Sequence, residues 1–260
     1  MTSVDRSAFL GGVAAAMAAA PGAANAQSLL AEAFFRTESV SQQQPGAYEV
    51  ERDGARFALD QSGAAPLIRF EGGPEVFALS VQQGPRGDQF LKTDHGFTVL
   101  RITTSQSVIV YGQAYPTGAP AAFMGGAGNI APPSSLRGDL ATRLDLLAMR
   151  MTKTLARTVK ISAPVVASAE SGFFSEAADR AADGVVRARA SLPSKGDLVI
   201  RFVVAKAPSA HFQGDELRVG VNPRLSYGGR PSSLLISQAV TRAQSIRPSE
   251  VSFSYSAPTR

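Results

Sequence analysis

The 260-residue chain has no cysteine and only two histidines. Disulfides, thiolate zinc sites, iron–sulfur clusters, cysteine nucleophiles and a lipid-modified N-terminal cysteine are therefore excluded. His95 and His211 stand far apart and outside any HExxH spacing, so no metal site is expected. Nor is there an uncharged apolar run of the ~20 residues that a transmembrane helix requires, and the chain is expected not to be transmembrane. Familiar catalytic signatures are missing as well. Gly228 follows Ser226 at the spacing of a nucleophile elbow, but Arg224 stands where the first glycine belongs. No serine lies three residues before any of the five lysines, and the glycine-rich segment leading to Ser232 lacks the Lys-Ser/Thr ending of a P-loop. No cofactor is expected and the catalytic residues, if any, are unknown from sequence.

What is present begins with an export signal. Arg6 marks a short charged region, Phe9 to Ala20 is apolar and mostly alanine, Pro21-Gly22 interrupts it, and Ala24-Asn25-Ala26 has the small-x-small form of a cleavage site. Residues 1–26 read as a signal peptide cut after Ala26, leaving a 234-residue chain that is periplasmic or secreted in a bacterium. A chain of that length buries enough surface to fold without disulfides. Export also removes nucleic acid as the expected partner of a basic protein.

The exported chain divides into two patterns. Residues 27–117 read as a β-rich domain opened by a short helix over 28–36. Short alternating runs between 55 and 112, separated by turns such as Gly72-Gly73-Pro74 and Asp94-His95-Gly96, predict an antiparallel meander closing into a small barrel or sandwich. Residues 118–134 are rich in glycine and proline and read as a linker. In 135–260, Leu136, Leu140, Leu144, Leu147, Met151 and Leu155 form one face of a long helix. Strands over 159–167, 197–206, 215–221 and 251–255 with helices over 171–190 and 232–246 then give the order βαββαβ, which predicts a ferredoxin-like domain and an α+β protein overall.

Charge follows the same division. Residues 27–134 hold 7 Lys/Arg and 10 Asp/Glu, whereas 135–260 hold 18 and 10. The basic half suggests an anionic envelope component as partner, although Asp139–Arg143, Glu176–Arg180 and Asp183–Arg187 have the i,i+4 spacing of self-paired helix charges. One local arrangement suggests an anion site. The glycine-rich segment from Asn222 to Pro231 carries Arg224 and Arg230 into a helix start at Ser232 and Ser233, where free N–H groups favour phosphate, sulfate or carboxylate. Asp94-His95 is the only acid–histidine neighbour pair, and its turn chemistry accounts for it without catalysis. The reading that follows is an exported envelope accessory or binding module that leans away from being an enzyme. The alternatives are a hydrolase acting on an envelope polymer through carboxylates or His95, and a peripheral protein docking on an anionic membrane surface.

The runs Leu59-Asp60-Gln61-Ser62-Gly63, Ile68 to Leu79, Pro85-Arg86-Gly87-Asp88 and Val99 to Thr103 resemble a group of exported alphaproteobacterial proteins classed as a domain of unknown function. The resemblance implies a periplasmic location and assigns no site residues.

Overall fold

In the barrel half, apolar residues at every second position drive strand formation, because alternation gives each strand one face to bury. The computed structural model describes residues 45–131, 139–193 and 196–245. The signal segment 1–26 with its cleavage site after Ala26, the helix expected over 28–36 and the strand expected over 251–255 lie outside the described residues. All described residues belong to one compact unit, Gln43–Arg260.

Nine strands form one antiparallel sheet: β1 (Gly46–Val50), β2 (Arg56–Asp60), β3 (Leu67–Phe70), β4 (Val76–Ala78), β5 (Ser80–Gln83), β6 (Gln89–Lys92), β7 (Thr98–Ile102), β8 (Val108–Val110) and β9 (Ala119–Gly126). Their order is β4-β3-β2-β1-β9-β8-β7-β6-β5. The two edge strands are consecutive in the chain, separated only by Leu79, so the sheet curls round until it nearly closes. The expected meander takes this form. Tyr48, Val50, Phe57, Leu59, Ile68, Leu91, Leu100 and Val110 point into its core. Across β9, β1, β2 and β3, the rings of Phe123, Tyr48, Phe57 and Phe70 meet successively at centroid separations of 5.4, 5.2 and 5.9 Å, the cross-strand packing that pins register.

Within the stretch expected as a linker over 118–134, residues Ala119–Gly126 are instead strand β9. This strand fills the centre of the sheet between β1 and β8. Its sequence, APAAFMGG, offers little hydrophobic amplitude, so composition disguised an alternation in which Ala119 is buried and Ala121 packs on the core.

The second half opens with helix α1 (Leu140–Leu155). Asp139 caps it, accepting from Thr142 N at 3.0 Å, and Leu144, Leu147 and Met151 are buried. There follow β10 (Val159–Ser162), α2 (Ser168–Arg187), β11 (Leu198–Val204), β12 (Ser209–Gln213), β13 (Glu216–Val221) and α3 (Ser233–Ser245). The ferredoxin-like arrangement is not what these strands build. A split βαβ unit needs another strand between its two parallel members, yet β10 pairs directly and in parallel with β11. The sheet order is β10-β11-β13-β12, with β11 parallel to β13 and only β12 antiparallel. Strand β12 escapes periodicity because Phe212 is its one fully buried residue. Helix residues including Leu147, Phe174, Ala178 and Ile236 join Leu198, Ile200, Leu217 and Val219 in a second core.

Helices α2 and α3 cross closely at Gly184. A Cβ there would lie 2.6 Å from the Ser233 carbonyl oxygen and 2.7 Å from Ile236 Cβ, so this glycine sets how deeply the N-terminus of α3 is seated.

Candidate functional site

Ser232 and Ser233 are hydrogen-bonded to carboxylates of the chain itself, Asp94 and Glu75 of the barrel. Ser232 donates through its N–H and its hydroxyl to the two oxygens of Asp94, each at 2.6 Å. Ser233 donates through its N–H at 2.9 Å and its hydroxyl at 2.5 Å to the two oxygens of Glu75. Ser232 Oγ also accepts from Leu235 N at 3.1 Å, the bond of an N-cap. Two anions thus occupy the end of α3 where the helix dipole and unpaired N–H groups favour them.

Arg230 completes this junction. Its side chain is only 1% exposed. Nη2 donates to the Val76 carbonyl at 2.9 Å and to Glu176 Oε1 at 2.6 Å, while Nε lies against Glu176 Oε2 and Nη1 is 3.9 Å from Glu75. Arg180, also buried, lies 3.8 Å from Glu75, 3.7 Å from Glu176 and 3.1 Å from Asp183. Burial pushes the Glu176 carboxyl upward against the opposing pull of Arg230 and Arg180. Of the three helix pairs expected at i,i+4, Glu176–Arg180 forms, whereas Arg143 turns to Asp179 at 3.0 Å and Asp183 turns to Arg180.

The Asp94-His95 turn serves the same junction. His95 Nδ1 is 2.8 Å from Thr93 Oγ1 and 3.8 Å from Asp94, its ring stacks on Phe97, and both Asp94 oxygens are engaged by Ser232.

Arg224 lies apart from Arg230, Ser232 and Ser233. It belongs to a loop, Pro223–Gly229, that leaves β13 in 3-10 turns. The loop is pinched at its neck, where Asn222 N donates to Gly229 O at 2.6 Å, and a Cβ at Gly229 would fall 1.8 Å from the Asn222 carbonyl oxygen. Only glycine permits that approach. At the tip, Ser226 has φ 47° and ψ −133°, a conformation costing on the order of 1–3 kcal/mol that persists only where surrounding contacts impose it.

This tip forms one wall of a cleft of about 570 Å³. Another wall comes from the barrel half, from Asp60, residues 62–65 and 129–131, and Leu67, and the apolar side chains of Leu67, Ile130, Leu225 and Tyr227 all line the space. Asp60 fixes that wall. It accepts from Ser62 N at 2.9 Å, Ser62 Oγ at 2.7 Å and Ile130 N at 2.7 Å. Burial alone would raise its carboxyl, but the bonds from Ser62 and Ile130 together bring it below the ordinary value. Arg224, exposed, pairs with no carboxylate among the described residues. Tyr227 joins cleft and junction, since the Arg230 guanidinium lies 5.3 Å from its ring centroid. Sequence reasoning missed the barrel side of this cleft, although Asp60-Gln61-Ser62 is an Asx-turn pattern that signals a structured loop.

Among the described residues, no group of three or more His, Asp or Glu side chains is placed to hold a metal ion, and no helix is long and apolar enough to cross a membrane. No curated protein and no solved structure matches the chain. A family model described as Domain of unknown function (DUF4908) matches residues 25–240.

Proposed function

We propose, from the premise that the chain belongs to the domain-of-unknown-function family DUF4908, that it is an exported, non-catalytic binding module of the bacterial envelope. The cleft between the barrel wall and the Pro223–Gly229 loop is its ligand site. Export rests on the leader pattern of residues 1–26. The single observation that carries the binding role is the cleft itself, whose volume of about 570 Å³ lies in the roughly 300–1,000 Å³ range of small-molecule sites. Its walls are fixed by the Asp60 bonds on one side and the Asn222–Gly229 neck on the other. Against the hydrolase alternative, His95 Nδ1 is engaged by Thr93 Oγ1, and the neighbouring Asp94 is taken up by Ser232. Filling the cleft by Ala65→Trp is expected to abolish retention of a small molecule by the purified chain, read by native mass spectrometry. Equal retention by both proteins would refute the site.

One observation favours docking on an anionic surface as a second reading. The face of the β10-β11-β13-β12 sheet opposite the helices carries Ser162, Arg201, Arg218 and His211 in one row across all four strands. Arg201, Arg218 and His211 are exposed, though Glu216 lies between the two arginines at 3.1 and 3.9 Å. If this face docks, binding to phosphatidylglycerol vesicles falls steeply with salt and is lost in Arg201→Ala/Arg218→Ala. Binding indifferent to salt or to the double substitution would rule it out.

A further inference from the structure

We infer that the cleft takes a single-chain amphiphile with one anionic head, a free long-chain carboxylate, with Arg224 receiving the head. The inference rests on the binding role proposed above and names the chemistry of that same site. Three features argue for it. First, Leu67, Ile130, Leu225 and Tyr227 give the cleft an apolar lining, and Leu225 remains 50% exposed, a large apolar side chain with nothing over it among the described residues. Second, the charges in the lining are unequal in availability. Among the described lining residues Asp60 is the only acid, and its two oxygens are consumed by Ser62 and Ile130. Arg224 is the only cation there and is exposed with no carboxylate partner among the described residues. The open valence of the cleft is therefore one positive charge beside apolar surface. Third, Arg224 is held rather than free at its backbone, since Asn222 Oδ1 accepts from Arg224 N at 3.2 Å. The pinched neck and the strained Ser226 keep the loop tip turned to the same cleft.

The neighbouring arginine shows why the head belongs at Arg224. Arg230 is already engaged by Glu176 and the Val76 carbonyl and is closed to solvent. An amphiphile entering the cleft would cover Leu225 and the exposed part of Tyr227, and the guanidinium of Arg224 would form a charge-assisted bond stronger than a neutral one. A neutral head of the same chain length would leave that cation desolvated and unpaired.

The test is calorimetric titration of the purified full chain with dodecanoate, dodecanol and acetate below micellar concentrations. Dodecanoate is expected to bind at least about tenfold more tightly than dodecanol, and acetate not measurably. Shortening the chain is expected to weaken binding by roughly fourfold per methylene. Arg224→Ala should bring dodecanoate down to the dodecanol level, and Arg224→Lys should retain most of the preference. Circular dichroism melts matching the parent protein would confirm that both variants fold, as expected of an exposed side chain. Equal binding of dodecanoate and dodecanol, or an unchanged preference in Arg224→Ala, overturns the assignment of the head while leaving the cleft as a binding site. No binding of either amphiphile overturns the ligand class, and the cleft then stands or falls on what Ala65→Trp does to the retained molecule. Dodecanoate binding that survives Ala65→Trp overturns both the inference and the reading beneath it.

Discussion

Arg230→Ala is expected to destabilise the protein by about 3 to 5 kcal/mol, the cost of breaking a buried ion pair and leaving its partner uncompensated. The partners left behind are specific. Glu176 loses its closest cation, Glu75 loses one of two, and the Val76 carbonyl loses a donor. For a chain of this length that corresponds to a fall in thermal midpoint of roughly 10 °C. Arg230→Met, which keeps bulk but removes charge, separates packing from electrostatics. If charge dominates, methionine is nearly as damaging as alanine, and the deficit depends on pH. The folded-state carboxyl of Glu176 is already raised by burial, and losing Arg230 raises it further. An acid whose folded pKa exceeds its unfolded one takes up protons on folding, so its penalty is absent below the unfolded pKa and grows as pH rises through the folded one. The deficit of both variants relative to the parent should therefore shrink as pH falls toward the ordinary glutamate range. A deficit constant across pH would mean that Arg230 acts only by filling space.

The long-range character of this junction explains what could and could not be read beforehand. Arg230, Ser232 and Ser233 are recognisable as an anion cradle because glycine-rich entry, arginine and a helix start are local features. Which anion fills the cradle is not local. Glu75 lies 158 positions from Ser233 and Asp94 lies 138 from Ser232, and neither Gly73-Pro74-Glu75 nor Asp94-His95-Gly96 differs in kind from an ordinary turn. The same limit shaped the fold. Val199, Arg201 and Val203 against Leu198, Ile200 and Phe202 make β11 legible, since one face is buried and the other is not. Strand β9 hid behind alanine and glycine, and the parallel pairing of β10 with β11 is a choice among neighbours that no single strand encodes. Arg224 looked equivalent to Arg230 in sequence. The five residues of tightly folded loop between them place one in solvent beside an apolar cleft and bury the other.

Glu75→Ala carries the other large effect, and its consequence should differ from that of Arg230→Ala. The barrel core and the core beneath the three helices are separate sets of residues. Cooperative unfolding of the two halves therefore depends heavily on what crosses between them, and Glu75 is central to that. It accepts two bonds from Ser233 at the start of α3 and lies 3.8 Å from Arg180 and 3.9 Å from Arg230. Removing it strips one of two caps from α3, worth about 1 kcal/mol by itself, and leaves two arginines facing each other across Glu176, for a total of about 3 to 5 kcal/mol. The parent protein is expected to melt in one transition by calorimetry. In Glu75→Ala the α/β half should melt first and the barrel, whose Tyr48, Phe57, Leu91 and Leu100 belong to a core of its own, at a temperature close to the parent's. Adding Ser233→Ala should then cost much less than it does in the parent, because the bond it removes is already gone. A single transition in Glu75→Ala, displaced as a whole, would mean that contacts other than this junction hold the two cores together. Full additivity of the two substitutions would mean that Ser233 and Glu75 contribute independently, against a shared bond.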